Sequence, residues 1–221
     1  MNGSVTNGFR DRINDIDSGR GDVGSAREAL DDWVQQIGIC GVRDELAVWI
    51  SEPATQERLR SSARETATHY VWPLQMSRNG YSIAINEYKN PDQMGTGYAN
   101  TIHNHRYSFA SLILSGGYRQ VWSDVHVNLG QTAYVREFSE NTAVEGDIVT
   151  VDYDRFHRLT DIGSRTLTLM VKCPAVTAHS LSVDIRTLRV SKHIPVESRV
   201  TDLIHALGCI YNARTAQGEA I

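Results

Sequence analysis

The sequence predicts a mainly β protein with a helical N-terminal part and a C-terminal helix. From residue 70 onward, runs rich in β-branched and aromatic residues recur at intervals of roughly ten residues, separated by Gly, Asn, Asp and Ser. Examples are YSIAINEY at 81–88, YSFASLIL at 107–114 and TLTLMVK at 166–172. Many short strands at even spacing are typical of a β-sandwich or a β-barrel.

The part of the chain before these strands has helical patterns. Residues 1–24 are rich in Gly, Asn, Asp and Ser without periodicity, which predicts a flexible leader. Ser25 and Glu28 form a capping-box pattern, and the apolar residues after them have helical spacing: Ala29, Leu30, Trp33, Val34 and Ile37. Gly38 is predicted to end this helix. A second helix is expected at 43–50, and a third, charged helix at about 54–68.

The end of the chain predicts one more helix. Apolar residues recur at helical spacing before Gly208, namely Val196, Val200, Leu203, Ile204 and Leu207. We expect this amphipathic helix to pack on the outside of the barrel. The predicted organisation is therefore a flexible leader at 1–24, a helical part at 25–69, a β-barrel at 70–195, and a C-terminal helix and tail at 196–221.

Composition argues against several classes of function. The 221 residues carry a formal net charge of -4 and no Lys/Arg run, so neither nucleic acid nor an anionic membrane is expected as a partner. No window approaches the roughly 18 apolar residues of a membrane span. No secretory signal is visible at the N-terminus. The three cysteines form no C-x-x-C pair, so a cytoplasmic location is expected.

Three histidines are candidates for a metal site. His103 and His105 are two residues apart, and alternate residues of a strand point to the same side. Both imidazoles could therefore face the barrel interior and share one metal at about 2.1 Å. His157 is the best candidate for a third ligand, because it begins a strand-like run. The other histidines are expected at the surface or in ordinary hydrogen bonds: His69, His126, His179, His193 and His205.

The spacing around these histidines resembles the two motifs of the cupin superfamily. Motif one, G-x5-H-x-H-x3-4-E-x6-G, is matched by Gly97, His103, His105 and either Gly116 or Gly117. Motif two, G-x5-P-x-G-x2-H-x3-N, is matched at its first glycine and at its histidine by Gly146 and His157; its Pro, second Gly and Asn positions hold Asp152, Asp154 and Asp161. The resemblance implies a cupin (jelly-roll) β-barrel with His103, His105 and His157 as metal ligands.

The glutamate of motif one is absent. Phe109 or Ala110 stands at its place, depending on which glycine is aligned. Three neutral imidazoles without a carboxylate resemble the three-histidine non-haem iron branch of cupins, which includes cysteine dioxygenase. That resemblance implies Fe(II) with about three open positions for a chelating substrate and O₂, without 2-oxoglutarate. Zn(II), Mn(II) and Ni(II) are alternatives, since affinity alone does not select iron.

The sequence departs from that branch where the branch binds its substrate. Trp72 stands at the position that matches the carboxylate-binding arginine. Thr168, Met170 and Lys172 replace the Ser-x-His-x-Tyr arrangement after the third ligand. A substrate other than free cysteine is therefore predicted.

Strand parity predicts the lining of a substrate pocket. The residues expected to face inward are Tyr88, Tyr107, Phe109, Thr168, Met170 and Lys172. An inward lysine needs an anionic partner or a lowered pKa, so Lys172 could hold a substrate carboxylate. The alternative is that Lys172 lies at the rim and reaches water. No catalytic acid or base is identified.

The leading functional hypothesis is a mononuclear non-haem Fe(II) oxygenase that acts on a small polar metabolite with O₂. One alternative is an isomerase or lyase that uses Zn(II) or Mn(II) as a Lewis acid. Another is a cupin that binds a ligand without turnover. The resemblance to cupins also allows a homodimer formed through barrel edges.

Overall fold

The computed structural model describes residues 11, 13–14, 23–77, 80–94, 100–128, 132–195, 200 and 203–205. Gly97 of the first motif lies outside these ranges.

The described strands form two six-stranded antiparallel sheets. The first sheet has the order β1 (Arg64–Glu65), β2 (His69–Met76), β3 (Ser82–Tyr88), β10 (Leu167–Lys172), β5 (Phe109–Ser115) and β8 (Ile148–Val151). The second has the order β12 (Val190–His193), β11 (Ser180–Asp184), β4 (Thr101–His103), β9 (Phe156–Thr160), β6 (Gly117–Val127) and β7 (Ala133–Val144). The predicted mainly β class is confirmed, although the described strands do not close into one hydrogen-bonded barrel.

The N-terminal helices match the predicted pattern in number but not at every boundary. Helix α1 (Val23–Ser51) is interrupted at Gly38, whose φ of 69° and ψ of 165° are not helical. Two helical segments therefore flank Gly38, as predicted. Helix α2 (Pro53–Ser62) ends before the expected boundary at about residue 68. The extension is wrong because Arg64 and Glu65 pair with the start of β2 instead.

The helices cover the outer face of the first sheet. Buried apolar residues of α1 pack with the outward-facing residues of β3, β5 and β10 in one cluster, which includes Leu30, Trp33, Leu46, Trp49, Ile83, Leu112, Leu169 and Val171. Each fully buried side chain of this size contributes roughly 1.5–3 kcal/mol. The helices thus leave the opposite face of the first sheet free to form the interior with the second sheet.

A smaller cluster lies between the two sheets. It joins Tyr88 and Ile113 of the first sheet to Tyr118 of β6 and includes Met94, Ala143 and Ile162. Tyr88, Tyr118 and Ile162 of this cluster also line the cavity described below.

Some residues of the predicted leader are described and pack against the rest of the chain. Ile13 is completely buried in the cluster under α1, and the Asn14 amide oxygen accepts a hydrogen bond from Gln75 Nε2 at 3.4 Å. Val23 and Gly24 begin α1, and Val23 packs against the same cluster. The other leader residues fall outside the described ranges, apart from residue 11.

The predicted C-terminal helix is described only in part. Residues 200 and 203–205 are helical. Val200, Leu203 and Ile204 are all more than half exposed, so these residues do not bury an apolar face on the barrel. Within the described ranges, no helix is both long and apolar enough to cross a bilayer.

Candidate metal centre

The space between the two sheets holds a cavity of about 410 Å³. Its wall is made by inward-facing residues of both sheets, by the segment at 64–69, and by the stretch between β4 and β5. The three candidate metal ligands, His103, His105 and His157, lie together on this wall.

Each histidine reaches the cavity from a different piece of backbone. His103 is the last residue of β4, and its Cα pairs with that of His157 on β9. Register between neighbouring strands thus places these two side by side. His105 lies just beyond β4, where its N–H donates to the Tyr153 carbonyl at 3.3 Å. The sequence expectation of one strand carrying both His103 and His105 is therefore wrong for His105, although both side chains reach the cavity.

The spacing of the three imidazoles fits a single ion. Their candidate ligand nitrogens all lie within 4.8 Å of one another. The Nε2 atoms of His105 and His157 are 2.9 Å apart. Two nitrogens bound at about 2.1 Å to one ion with a right angle between them would be about 3.0 Å apart. The separation of the His105 and His157 Nε2 atoms is therefore compatible with one shared metal.

Burial keeps the three imidazoles neutral. Removal from water lowers the pKa of His103, and it lowers those of His105 and His157 well below the ordinary value. Mutual repulsion acts in the same direction, since the charge of His103 would lower the pKa of both His105 and His157. Neutral imidazole is the form that ligates a metal.

Gln120 contacts the far side of His157. The Gln120 side chain is completely buried on β6, and its Nε2 lies 2.7 Å from His157 Nδ1. Its Oε1 is buried and has no hydrogen-bond partner among the described residues. With the amide in this orientation, Nδ1 accepts and the His157 proton sits on Nε2, where it can donate to His105.

A metal at His157 Nε2 requires the opposite tautomer. The proton then sits on Nδ1 and needs an acceptor. A 180° turn of the Gln120 amide brings Oε1 to Nδ1 and gives the unsatisfied oxygen its partner. Gln120 can therefore set the tautomer of the candidate ligand His157. The sequence did not predict this role of Gln120.

Phe109 occupies the place where the first motif has its glutamate. Its ring is 4.9 Å from that of His105 in an edge-on contact, and it lines the cavity. Ala110 instead faces the helical layer, within the core cluster on the other side of the sheet. The side chain facing the histidines is thus an apolar ring, and none of the described residues that line the cavity carries a carboxylate.

Most of the predicted pocket residues line the cavity. Tyr88, Tyr107, Met170 and Lys172 do so together with Phe109. Thr168 does not, although it shares the strand face of Met170 and Lys172: it is fully buried and lies next to a register shift between β10 and β5. Its hydroxyl has no partner among the described residues.

Several cavity residues were not predicted. His69, expected at the surface or in ordinary hydrogen bonds, lines the cavity with its Nδ1 2.8 Å from Thr68 Oγ1, and burial lowers its pKa to about 4. Arg64, Tyr118 and Gln120 also lie on the wall. Trp72 does not: its indole N–H donates to Glu87 at 2.9 Å and its ring packs toward the helices. The alternation along β2 offered a signal, because it puts His69 and Val71 on one face of the strand and Trp72 and Leu74 on the other.

Comparisons with known proteins place the chain in no family. No model of a known protein family matches it, and no curated protein matches it in sequence. Similar solved structures include a variant of oxalate decarboxylase from Bacillus subtilis, at 13% identity and a TM-score of 0.35. That match covers 52% of this chain and 28% of the other, so the chain spans well under half of the decarboxylase.

Two further solved structures have similar values. Ectoine synthase from P. lautus is 15% identical with a TM-score of 0.35, over 55% of this chain and 76% of that one. A DMSP lyase from Ruegeria pomeroyi is 12% identical with a TM-score of 0.37, over 54% and 59% of the two chains. At these values the function has to be argued from the residues of the cavity.

Proposed function

We propose that this chain is a mononuclear non-haem Fe(II) oxygenase of the dioxygenase type, with His103, His105 and His157 as the iron ligands. It acts on a small polar metabolite that chelates the iron, and it uses O₂ without 2-oxoglutarate. The observation that supports the proposal is the convergence of three neutral imidazoles on the wall of one cavity whose described lining has no carboxylate.

The donor set fits the proposed metal. Three imidazoles suit Fe(II) and leave coordination positions open for substrate donor atoms and for O₂. Iron held there would supply the activation of O₂. The motif resemblance to three-histidine cupins points to the same ligand set, while the replacement of the branch's arginine by Trp72 argues for a substrate other than free cysteine.

The surrounding side chains would shape the site and exclude water from it. Phe109 and Met170 provide apolar surface next to the imidazoles. The Tyr88 and Tyr118 rings lie 5.9 Å apart on the same wall, and burial raises the pKa of both phenols. Both therefore stay protonated at neutral pH and can donate a hydrogen bond to a bound molecule.

A zinc- or manganese-dependent isomerase or lyase is the second candidate. The same three imidazoles form a known type of catalytic zinc site, with a fourth position open for water or substrate. The two candidates differ in whether the reaction consumes O₂.

Metal loading and O₂ uptake distinguish these functions. The chain is reconstituted anaerobically with an equimolar mixture of Fe(II), Zn(II) and Mn(II), and its metal content is measured. Each singly loaded form is then assayed for O₂ uptake with a library of small metabolites. Iron-dependent O₂ uptake supports the oxygenase. Turnover of a metabolite by the zinc or manganese form without O₂ uptake overturns it in favour of the isomerase or lyase.

The ligand set is tested by substitution. His157→Ala is expected to lose the bound metal, while the matched control His126→Ala keeps it, because His126 is exposed on β6 away from the cavity. Circular dichroism checks that both variants fold. Unchanged metal stoichiometry in folded His157→Ala would remove His157 from the ligand set.

A further inference from the structure

We propose that the cavity is built for an anionic small molecule, with an oxyanion bound by Lys172 a few bonds away from the atoms that bind the metal. The inference rests on the proposed metal site and adds the substrate class: a carboxylate or sulfonate that also carries a metal-binding group.

The charge of the cavity wall is the first observation. Among the described residues that line it, Arg64 and Lys172 are basic, and there is no Asp or Glu. A divalent ion held by imidazoles would add two more positive charges. With no carboxylate in the described lining, an anionic ligand would supply the negative charge that balances them.

The position of Lys172 is the second observation. It is the last residue of β10 and pairs with Phe109 of β5, so it enters the cavity beside the residue that contacts His105. Its Nζ lies 5.4 Å from the centre of the Tyr107 ring, and that ring is 5.8 Å from the ring of His105. The ammonium group of Lys172 and the imidazole of His105, a proposed metal ligand, therefore lie beside the same aromatic ring.

The absence of a protein partner for Lys172 is the third observation. Nearby Lys89 donates to Glu65 Oε1 at 2.6 Å and to the Thr66 carbonyl at 2.7 Å, so its charge is neutralised within the protein. Among the described residues, no carboxylate forms an ion pair with Lys172. Its ammonium group lies over the face of the Tyr107 ring instead. An ammonium group in this position has its donors available for an incoming oxyanion.

Arg64 and His69 extend the positive end of the cavity. Arg64 is exposed at the mouth formed by the segment before β2. Arg64, His69 and Lys172 all line this one cavity. Arg64 would attract an anion from solvent, while Lys172 would bind it inside.

The test uses hydroxamates, which chelate a metal at one end and differ at the other. The cobalt(II)-loaded protein is titrated with three probes: N-hydroxysuccinamate, its primary amide, and 3-sulfopropionohydroxamate, and binding is read from the cobalt absorption bands. We expect the carboxylate probe to bind about tenfold more tightly than the amide, since hydrogen bonds to charged groups are the stronger ones. The sulfonate probe shows whether the site also accepts that anion.

Two variants test whether Lys172 causes the preference for the carboxylate probe. Lys172→Met should bring the carboxylate and amide probes to within about twofold of each other while metal stoichiometry stays the same. Lys192→Met is the matched control, because Lys192 is exposed on β12 and does not line the cavity. It should keep the tenfold preference. A wild-type protein that binds cobalt but does not distinguish the two probes overturns the anion site and leaves the metal site standing.

A metal-free measurement separates failure of this inference from failure of the proposed function. If the chain binds no cobalt, the proposed metal site has failed, and the anion site is judged by thermal unfolding in sulfate against chloride at equal ionic strength. A sulfate stabilisation that is present in the wild type and lost in Lys172→Met supports the anion site. Equal stabilisation of the two proteins overturns it.

Discussion

Gln120 is the residue that contacts the proposed metal ligand His157 from behind. It is completely buried, its amide contacts His157 Nδ1 at 2.7 Å, and its oxygen lacks a partner in the described part of the chain. An acceptor at Nδ1 fixes the tautomer that frees Nε2 for a metal and raises the basicity of the ligand.

Removing that acceptor should weaken metal binding. We expect Gln120→Leu to lower zinc affinity by about 10- to 100-fold, and Gln120→Glu to keep it, because a carboxylate also accepts from Nδ1–H. Competition against a chromophoric chelator measures both affinities, with thermal unfolding as the check on folding. Wild-type affinity in a folded Gln120→Leu would show that the amide has no part in the site.

The buried imidazoles make the metal-free protein sensitive to acid. The pKa of His69 falls from 6.5 to about 4, first through burial and then through the charges of Lys172 and Arg64. The unfolded chain takes up this proton near its ordinary pKa, whereas the folded chain resists until about pH 4. Stability is therefore fully present above about pH 6.5 and is lost as the pH falls toward about 4.

Urea unfolding of the metal-free protein checks this sign. The unfolding midpoint should be lower at about pH 5 than at about pH 8, and the drop should be smaller in His69→Gln. His126→Gln, at an exposed position, should keep the full drop. Equal midpoints at the two pH values would contradict the buried, neutral state of His69.

The sequence predicted the clustered histidines better than their surroundings. His103, His105 and His157 were found from the spacing of the two motifs, which can be read directly from the sequence. His69 could have been placed in the cavity from the alternation along β2, but Gln120 reaches it through the register of β6 on β9, and register between distant strands is not written in local alternation. Polar residues selected by tertiary contacts therefore escaped prediction.

At the scale of secondary-structure elements, glycines decide where helices and strands change direction. Gly38 separates the two halves of α1 with a φ of 69° and a ψ of 165°, a region almost restricted to glycine. Gly116 joins β5 to β6 at a φ of 72°, and a Cβ there would lie 2.5 Å from Thr166 Oγ1 and 2.9 Å from the Thr166 Cα. Nothing lies within 4 Å of a Cβ placed on Gly38.

These two positions form a matched pair for substitution. Gly38→Ala should cost roughly 1–3 kcal/mol from backbone strain alone. Gly116→Ala should lower the free energy of unfolding by more, because the same kind of strain is joined by a collision with Thr166, whose hydroxyl holds the backbone of Gly117. Denaturant unfolding of both variants measures the difference. A smaller loss for Gly116→Ala than for Gly38→Ala would show that the turn relaxes freely.

Element prediction succeeded where the hydrophobic period was long and failed at junctions. The helical spacing from Ala29 to Ile37 and the stop at Gly38 were readable. The predicted third helix was too long because Arg64 and Glu65 pair with β2. The local sequence of these two residues does not show that pairing. Ile13 lies within the predicted flexible leader, and its burial could not be read from the sequence because one apolar residue in a polar stretch has no period.

At the scale of the whole molecule, the helical layer and the two sheets form different parts of the structure: a packed core and a cavity. The helices bury the outer face of the first sheet, and the inner faces of both sheets are left to form the cavity. The three imidazoles come from β4, β9 and the segment that follows β4, all in or next to the second sheet. A bound metal would tie these pieces together and would bind only the folded chain.

Metal binding should therefore raise the stability of the whole protein. Free metal at about 100 times its dissociation constant stabilises a folded state by about 2.7 kcal/mol. We expect that gain for the wild type, measured by thermal unfolding with and without Zn(II), and its loss in His103→Ala. The same gain in both proteins would place the stabilising metal elsewhere.

The central claim is that His103, His105 and His157 bind one metal ion together. Anomalous diffraction from crystals of the chain grown anaerobically with Fe(II), recorded on both sides of the iron absorption edge, tests it most directly. The account predicts a single anomalous peak per chain, about 2.1 Å from one nitrogen of each of the three imidazoles. An iron peak that contacts only one of them, or a cavity without a peak in iron-saturated crystals, would contradict it.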